Sequence, residues 1–110
     1  MKIKEEKSGD ILICVLEGEI DISNSSQLRK TFDDFIKRNE KKVLVDFSDV
    51  SYIDSSGLAT LIEMLQRIKK VGGKMRSCSM NQKVSNIFEI TKLHKLFEIF
   101  DNRETALKDF

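Results

Sequence analysis

The stretch from Val43 to Lys70 constrains this chain most. Val43-Leu44-Val45-Asp46-Phe47 is a short apolar run of the kind that forms a strand covered on both faces, or nearly so. After Gly57 the apolar residues fall at Leu58, Leu61, Ile62, Leu65 and Ile68, the spacing of one helix face. Between the two lies the polar string Asp54-Ser55-Ser56-Gly57. Short polar side chains at a strand-to-helix junction accept hydrogen bonds from the first free backbone N–H groups of the helix. Asp54, Ser55 and Ser56 are therefore expected at the N-terminus of a helix that packs on a sheet. A hydroxyl there is exposed. A phosphate added to it would face oriented N–H groups and the positive end of the helix dipole.

The rest of the chain alternates strand and helix signals. Met1–Lys7 alternates as a strand, Ser8-Gly9-Asp10 is a turn cluster, and Ile11–Leu16 is a β-branched apolar run, which together predict an antiparallel hairpin. Gly18-Glu19-Ile20-Asp21 ends the second strand. Asn24 and Gln27 have the spacing of a capping box, and Leu28, Phe32, Phe35 and Ile36 make a helical stripe to about Arg38. Ser48–Ile53 reads as a loop after the central strand, with Tyr52 and Ile53 tucked under the following helix. That helix ends at Gly72-Gly73. Lys74–Ser79 is a strand. Asn81 caps a short helix that carries Val84, Ile87 and Phe88 to about Thr91. Leu93–Lys95 is a loop and Phe97–Phe100 a last strand. Asp101 and Glu104 have capping-box spacing and open a final helix with Ala106 and Leu107. This order predicts one α/β domain over residues 1–110, with a mixed sheet opened by an antiparallel hairpin and continued by right-handed crossovers.

Bulk properties narrow the function classes. The chain has 110 residues and a formal net charge of +1, so it carries no basic excess of the kind nucleic-acid binding leaves. The two cysteines, Cys14 and Cys78, show no metal or disulfide spacing, and Cys14 reads as a small core residue. The N-terminus lacks the apolar core of a signal peptide, and no apolar run approaches the ~20 residues of a membrane span. A cytoplasmic protein with reduced thiols is expected.

Taken with its surroundings, Asp54-Ser55-Ser56-Gly57-Leu58 resembles the signature of the anti-sigma factor antagonists, the stand-alone members of the STAS family (sulphate transporter and anti-sigma factor antagonist domains). Gly18-Glu19-Ile20-Asp21 resembles that family's second motif, at the end of its second strand. The likeness extends over nearly the whole chain; Ala59, where many members have Gly, is a small departure. The resemblance implies the same mixed-sheet architecture and a phosphorylation site at Ser55. It also implies a partner-binding surface of Gly18, Asp21, Asp54, Ser56, Gly57 and Leu58. Met64 extends that patch if it is exposed, although Met at a helical position is more often core. The implied partners are an anti-sigma factor that is also a serine kinase, and a serine phosphatase. The unphosphorylated chain would bind the kinase and free a sigma factor. No catalysis, cofactor, nucleotide, nucleic acid or membrane is implied for the chain itself. A STAS subunit docked on a transporter ATPase and a small-molecule-binding STAS module are the other roles that the family offers.

Each motif has a plainer reading. Ser-Ser-Gly before a helix is commonly only a cap. Gly18 and Asp21 can be a turn glycine and a helix-approach carboxylate. Enzyme readings fit less well. A nucleophile elbow needs Gly-x-Ser-x-Gly and an oriented histidine, whereas Ile53 precedes this string and His94 is the only histidine. Asp21, Asp46, Asp49 and Asp54 show no metal-ligand spacing. A receiver-type phospho-aspartate at Asp46 or Asp54 would need an acidic pair to hold magnesium, and Glu5-Glu6 lie on a hairpin strand. No Gly-rich phosphate loop with Lys is present.

Overall fold

A computed structural model describes residues 1–110. Strands β1 (Lys2–Ser8) and β2 (Ile11–Ile20) form the antiparallel hairpin, closed by Gly9 at φ +62°. Strand β3 (Lys42–Ile53) pairs parallel to β2, β4 (Lys74–Cys78) parallel to β3, and β5 (Glu98–Phe100) parallel to β4. The sheet order is β1-β2-β3-β4-β5. Strict alternation on β2 divides its side chains. Leu12, Cys14 and Leu16 enter one core, and Ile11, Ile13 and Val15 the other. Both faces of the sheet are therefore covered at its centre.

The larger core lies under helices α1 (Ser25–Lys37), α2 (Ser55–Lys70) and α3 (Gln82–Ile90). It holds Phe32 and Phe35 of α1, Leu61, Met64 and Leu65 of α2, and an edge-to-face chain of Phe47, Phe88 and Phe97. Cys14 is fully buried here, and burial pushes its thiol up to about 12, so it stays protonated and unreactive. The smaller core is covered by α4 (Arg103–Leu107) with Phe100, Leu107 and Phe110.

Two arginines pin α4 and the C-terminal tail to the sheet. Arg103 donates to Asp46 Oδ2 from Nη2 at 2.7 Å and to Glu6 from Nη1 at 3.0 Å. Arg76 is 7% exposed and donates to the carbonyls of Ala106, Lys108 and Asp109. Its guanidinium lies 5.0 Å from the Phe100 ring centre and 4.7 Å from that of Phe110. The free carbonyls at the end of α4 are thus met by a cation held in place by stacking.

Several boundaries differ from the sequence expectation. Ser48–Ile53 is not a loop but the second half of β3, paired with Glu17–Ile20 of β2 across two register shifts. Those shifts break the period of two, and Ser48, Asp49, Ser51 and Tyr52 are exposed. Ile53 is buried as expected, but Tyr52 faces outward with Lys83 5.7 Å from its ring centre. Asn24 does not cap α1 with its side chain, and Leu93–Lys95 closes into a 3-10 turn. The last helix is capped by Asn102, which accepts from Thr105 N–H at 2.8 Å, rather than by Asp101.

The Asp46 carboxyl, 3% exposed, is raised by burial, but this is outweighed by the Ser48 N–H and Arg103, which hold it below its usual value of 3.8. Its folded value lies below its unfolded one. Its stabilisation is therefore present above pH ~4 and is lost as the pH falls through the depressed value. Asp46→Asn should cost roughly 1–2 kcal/mol, since Arg103 stays partly solvated. It should also flatten the loss of stability below pH ~4. Urea unfolding of both proteins from pH 3 to 7 measures both effects.

Candidate functional site

The site forms where the ends of β2 and β3 meet the start of α2. Asp54 is the N-cap of α2, in extended conformation at φ −101°. Its Oδ1 accepts from the N–H groups of Ser56 (3.0 Å) and Gly57 (3.2 Å) and from the Ser56 hydroxyl (2.6 Å). Its Oδ2 accepts from the Ile22 N–H at 3.2 Å, and its own N–H donates to the Ile20 carbonyl at 3.0 Å. The Ser56 hydroxyl and these N–H donors hold the Asp54 carboxyl below its usual value. One carboxylate thus satisfies the helix start and ties it to the loop after β2.

This arrangement separates the two serines. The Ser56 hydroxyl is taken by Asp54, and the residue is half-buried. Ser55 is exposed, and no side chain or carbonyl holds its hydroxyl. The Ser56 and Gly57 N–H groups, expected to face a phosphate, are already occupied by Asp54. A group added to Ser55 would point outward into water.

The loop from Asp21 to Asn24 is locked in a similar way. Asp21 Oδ1 accepts from the N–H (2.9 Å) and hydroxyl of Ser23, and the Asp21 carbonyl accepts from the N–H groups of Asn24 and Ser25. Asn24 turns backward, accepting from Asp21 N–H at 2.9 Å and donating to the Glu19 carbonyl at 2.7 Å. At the tip Ile22 is 82% exposed.

The structure brings Asp21, Asp54, Ser55 and Ser56 together, leaves Gly18 exposed near the end of β2, and buries Gly57 and Leu58. Gly18, at φ +97°, sits at a register shift of β2 and supplies a backbone conformation that favours glycine. Gly57 is buried; a Cβ there would lie 2.7 Å from Ile20 Cγ2 and 2.8 Å from Ile53 Cγ1. It lets the helix start close on the strand ends. Leu58 is 8% exposed and Met64 1% exposed, so both belong to the core rather than to a contact patch. Residue-type reasoning missed Ile22. Its signal is an aliphatic residue enclosed by turn-forming Asp21, Ser23 and Asn24, where no core can receive it.

The ring of His94 lies 3.3 Å from the Phe88 carbonyl, and no cluster of His, Cys, Asp or Glu could hold a metal ion. No helix is long and apolar enough to cross a membrane.

Comparison with known proteins places this geometry. The family model described as STAS domain matches residues 2–106. An anti-sigma F factor antagonist of Paenibacillus polymyxa is 29% identical over 110 residues, covering 99% of this chain and 94% of that one. A crystal structure from Thermotoga maritima, assigned as an anti-sigma factor antagonist, superposes with a TM-score of 0.92 at 28% identity and covers 97% of this chain and 92% of its own. The phosphorylated form of SpoIIAA from Bacillus shares the fold, with a TM-score of 0.74 at 18% identity over 96% of each chain.

Gly57→Ala is expected to destabilise the protein by about 1–2 kcal/mol, because overpacking between Ile20 and Ile53 outweighs the gain in helix propensity. The Ile22 amide should lose protection as Asp54 is pushed away. Thermal unfolding and hydrogen exchange measure the two effects. An Ala variant as stable as the parent, with Ile22 still protected, would show that this close approach does not depend on glycine.

Proposed function

The chain belongs to the STAS domain family, and on that premise we propose that it is an anti-sigma factor antagonist switched by phosphorylation of Ser55. Unphosphorylated, it binds an anti-sigma factor that is also a serine kinase, and a sigma factor is released. The kinase transfers the γ-phosphoryl group of ATP to Ser55 Oγ. The new Oγ–P bond replaces the bridging P–O bond, ADP leaves, and the serine proton passes to a base of the kinase. A serine phosphatase restores the hydroxyl. The chain is substrate and ligand in this cycle, and its role is regulatory.

The observation that carries the reading is the contrast between the two serines. Ser55 is exposed and unheld, beside a rigid loop, while Ser56 is bound to Asp54. Glu19, Asp21 and Asp54 already place negative charge around this corner, to which a phosphate on Ser55 would add. Ile22 adds an apolar tip on a loop ordered before binding, and a contact that needs no further ordering is the efficient kind.

Incubation with the kinase and ATP should add one phosphate, on Ser55, and Ser55→Ala should abolish it. Mass spectrometry that finds the phosphate on Ser56 would overturn this assignment. Asp21→Ala and Ile22→Ala should each weaken kinase binding by tenfold or more, about 1.4 kcal/mol. Ile22→Ala should leave the melting temperature almost unchanged, because little of the residue is buried. Unaltered phosphorylation kinetics in both variants would remove this loop from the interface.

Phosphate acts here by blocking. It carries roughly −1.5 to −2 charges. In the free protein it stands in water, drawn to the α2 dipole and repelled by Asp54, so the fold hardly responds. At a docked face the same group must leave water without a partner, at a cost of several kcal/mol. Affinity for the kinase should fall at least about a hundredfold, ~2.7 kcal/mol. Amide shifts should stay near residues 18–22 and 54–58. Shifts spread across the sheet would replace blocking with a conformational change.

A further inference from the structure

A pocket of about 230 Å³ opens at the end of α2 remote from Ser55, between α2, β4 and the 3-10 turn before β5. Leu65 and Met75, 3% and 2% exposed, form its apolar floor, and Leu96, 45% exposed, forms a wall. Lys69 and Lys74 stand on the rim with Gly73 and Glu98. We propose that this pocket binds a small amphipathic anion, an aliphatic carboxylate of roughly six to eight carbons, on a site separate from the Ser55 surface.

Charge pairing in the surroundings argues for an anion. Lys42, Arg67 and Arg76 are all paired, with Asp10, Asp33 and Glu98 respectively. Lys69 and Lys74 have no ion-pair partner, and the one carboxylate on the rim, Glu98, already faces Arg76. The carbonyls at the end of α2 offer little repulsion. Those of Arg67, Ile68 and Lys69 accept from the N–H groups of Val71, Gly73 and Gly72. The floor argues for an apolar body. A leucine half in water beside a concave Leu–Met surface is covered at little ordering cost, since two of the three side chains are already fixed. Size sets the rest: at ~30 Å³ for each water-sized group, the pocket holds about seven or eight such groups. The carboxylate would sit between the two ammonium groups, with its chain on Leu65, Met75 and Leu96.

The site does not depend on the phosphorylation reading. Leu65 to Lys69 lie roughly 15–20 Å along α2 from Ser55. The test is titration of the whole protein with octanoate, followed by amide NMR. Saturable shifts should centre on Leu65, Lys69, Met75 and Leu96, with a Kd of about a millimolar or tighter. Octanamide, which keeps the chain and loses the charge, should bind at least about tenfold more weakly. Lys69→Gln with Lys74→Gln should raise the octanoate Kd by a similar factor without changing the melting temperature. Equal binding of octanamide, shifts centred on another surface, or no saturation by about 10 mM octanoate would each overturn the proposal.

Discussion

The hydrogen bonds that converge on the Asp54 carboxylate, from Ile22, Ser56 and Gly57, make one surface out of two loops that are far apart in sequence. A capping carboxylate normally serves its own helix. This one uses its second oxygen to hold the backbone of the loop after β2. Its reach depends on Gly57, because any larger residue would push the helix start off the ends of β2 and β3. It depends equally on the extension of β3 to Ile53, which delivers Asp54 beside Ile20. The exposed hydroxyl of Ser55 is the remainder of this arrangement: once Asp54 has taken the neighbouring donors, Ser55 has nothing left to bond within the chain.

The rest of the fold keeps that corner still. The central strand is covered on both faces, chiefly by apolar packing under α1, α2 and α3, and by apolar packing pinned with buried charge under α4. On that second side Asp46 and Arg76 are nearly buried, a costly placement for charged groups. Both are compensated by several partners rather than one. Asp46 meets Ser48 and Arg103, and Arg76 meets three carbonyls, two aromatic rings and Glu98. A five-residue helix has too little surface to dock by hydrophobic burial alone. The arginines supply what it lacks, and their directional bonds fix where it lies.

Much of this was legible from residue order. The hairpin, the helical stripes, the Gly-Gly stop and the capped start of α2 all follow local rules, and the local rules agree with the fold. Two of the misreadings share one cause, which is that a tertiary partner outweighed local composition. Ser48–Ile53 is polar enough to read as a loop, yet the end of β2 pairs with it and makes it a strand. Asn24 has the residue type of a cap, but the Glu19 carbonyl and the Asp21 N–H draw its side chain away. The motif itself was recognised, but the division of labour inside it was not. Spacing cannot show that Gly18 serves a bulge, Gly57 a close approach and Leu58 the core, while Ser55 alone stays free. An exposed aliphatic residue such as Ile22 carries no signal until its surroundings are known.

Helix α2 carries both of the proposed sites, Ser55 at its start and the pocket beside Leu65 and Lys69 towards its end. It buries seven residues, from Gly57 to Ile68, against the larger core. A helix held along its length by close packing does not slide in small steps, because intermediate positions would open voids or force overlaps. On the proposed reading, a partner at either end of α2 would meet a different chemistry, a hydroxyl or a phosphate at Ser55 and the unpaired ammonium groups of Lys69 and Lys74 at the other, on one closely packed helix.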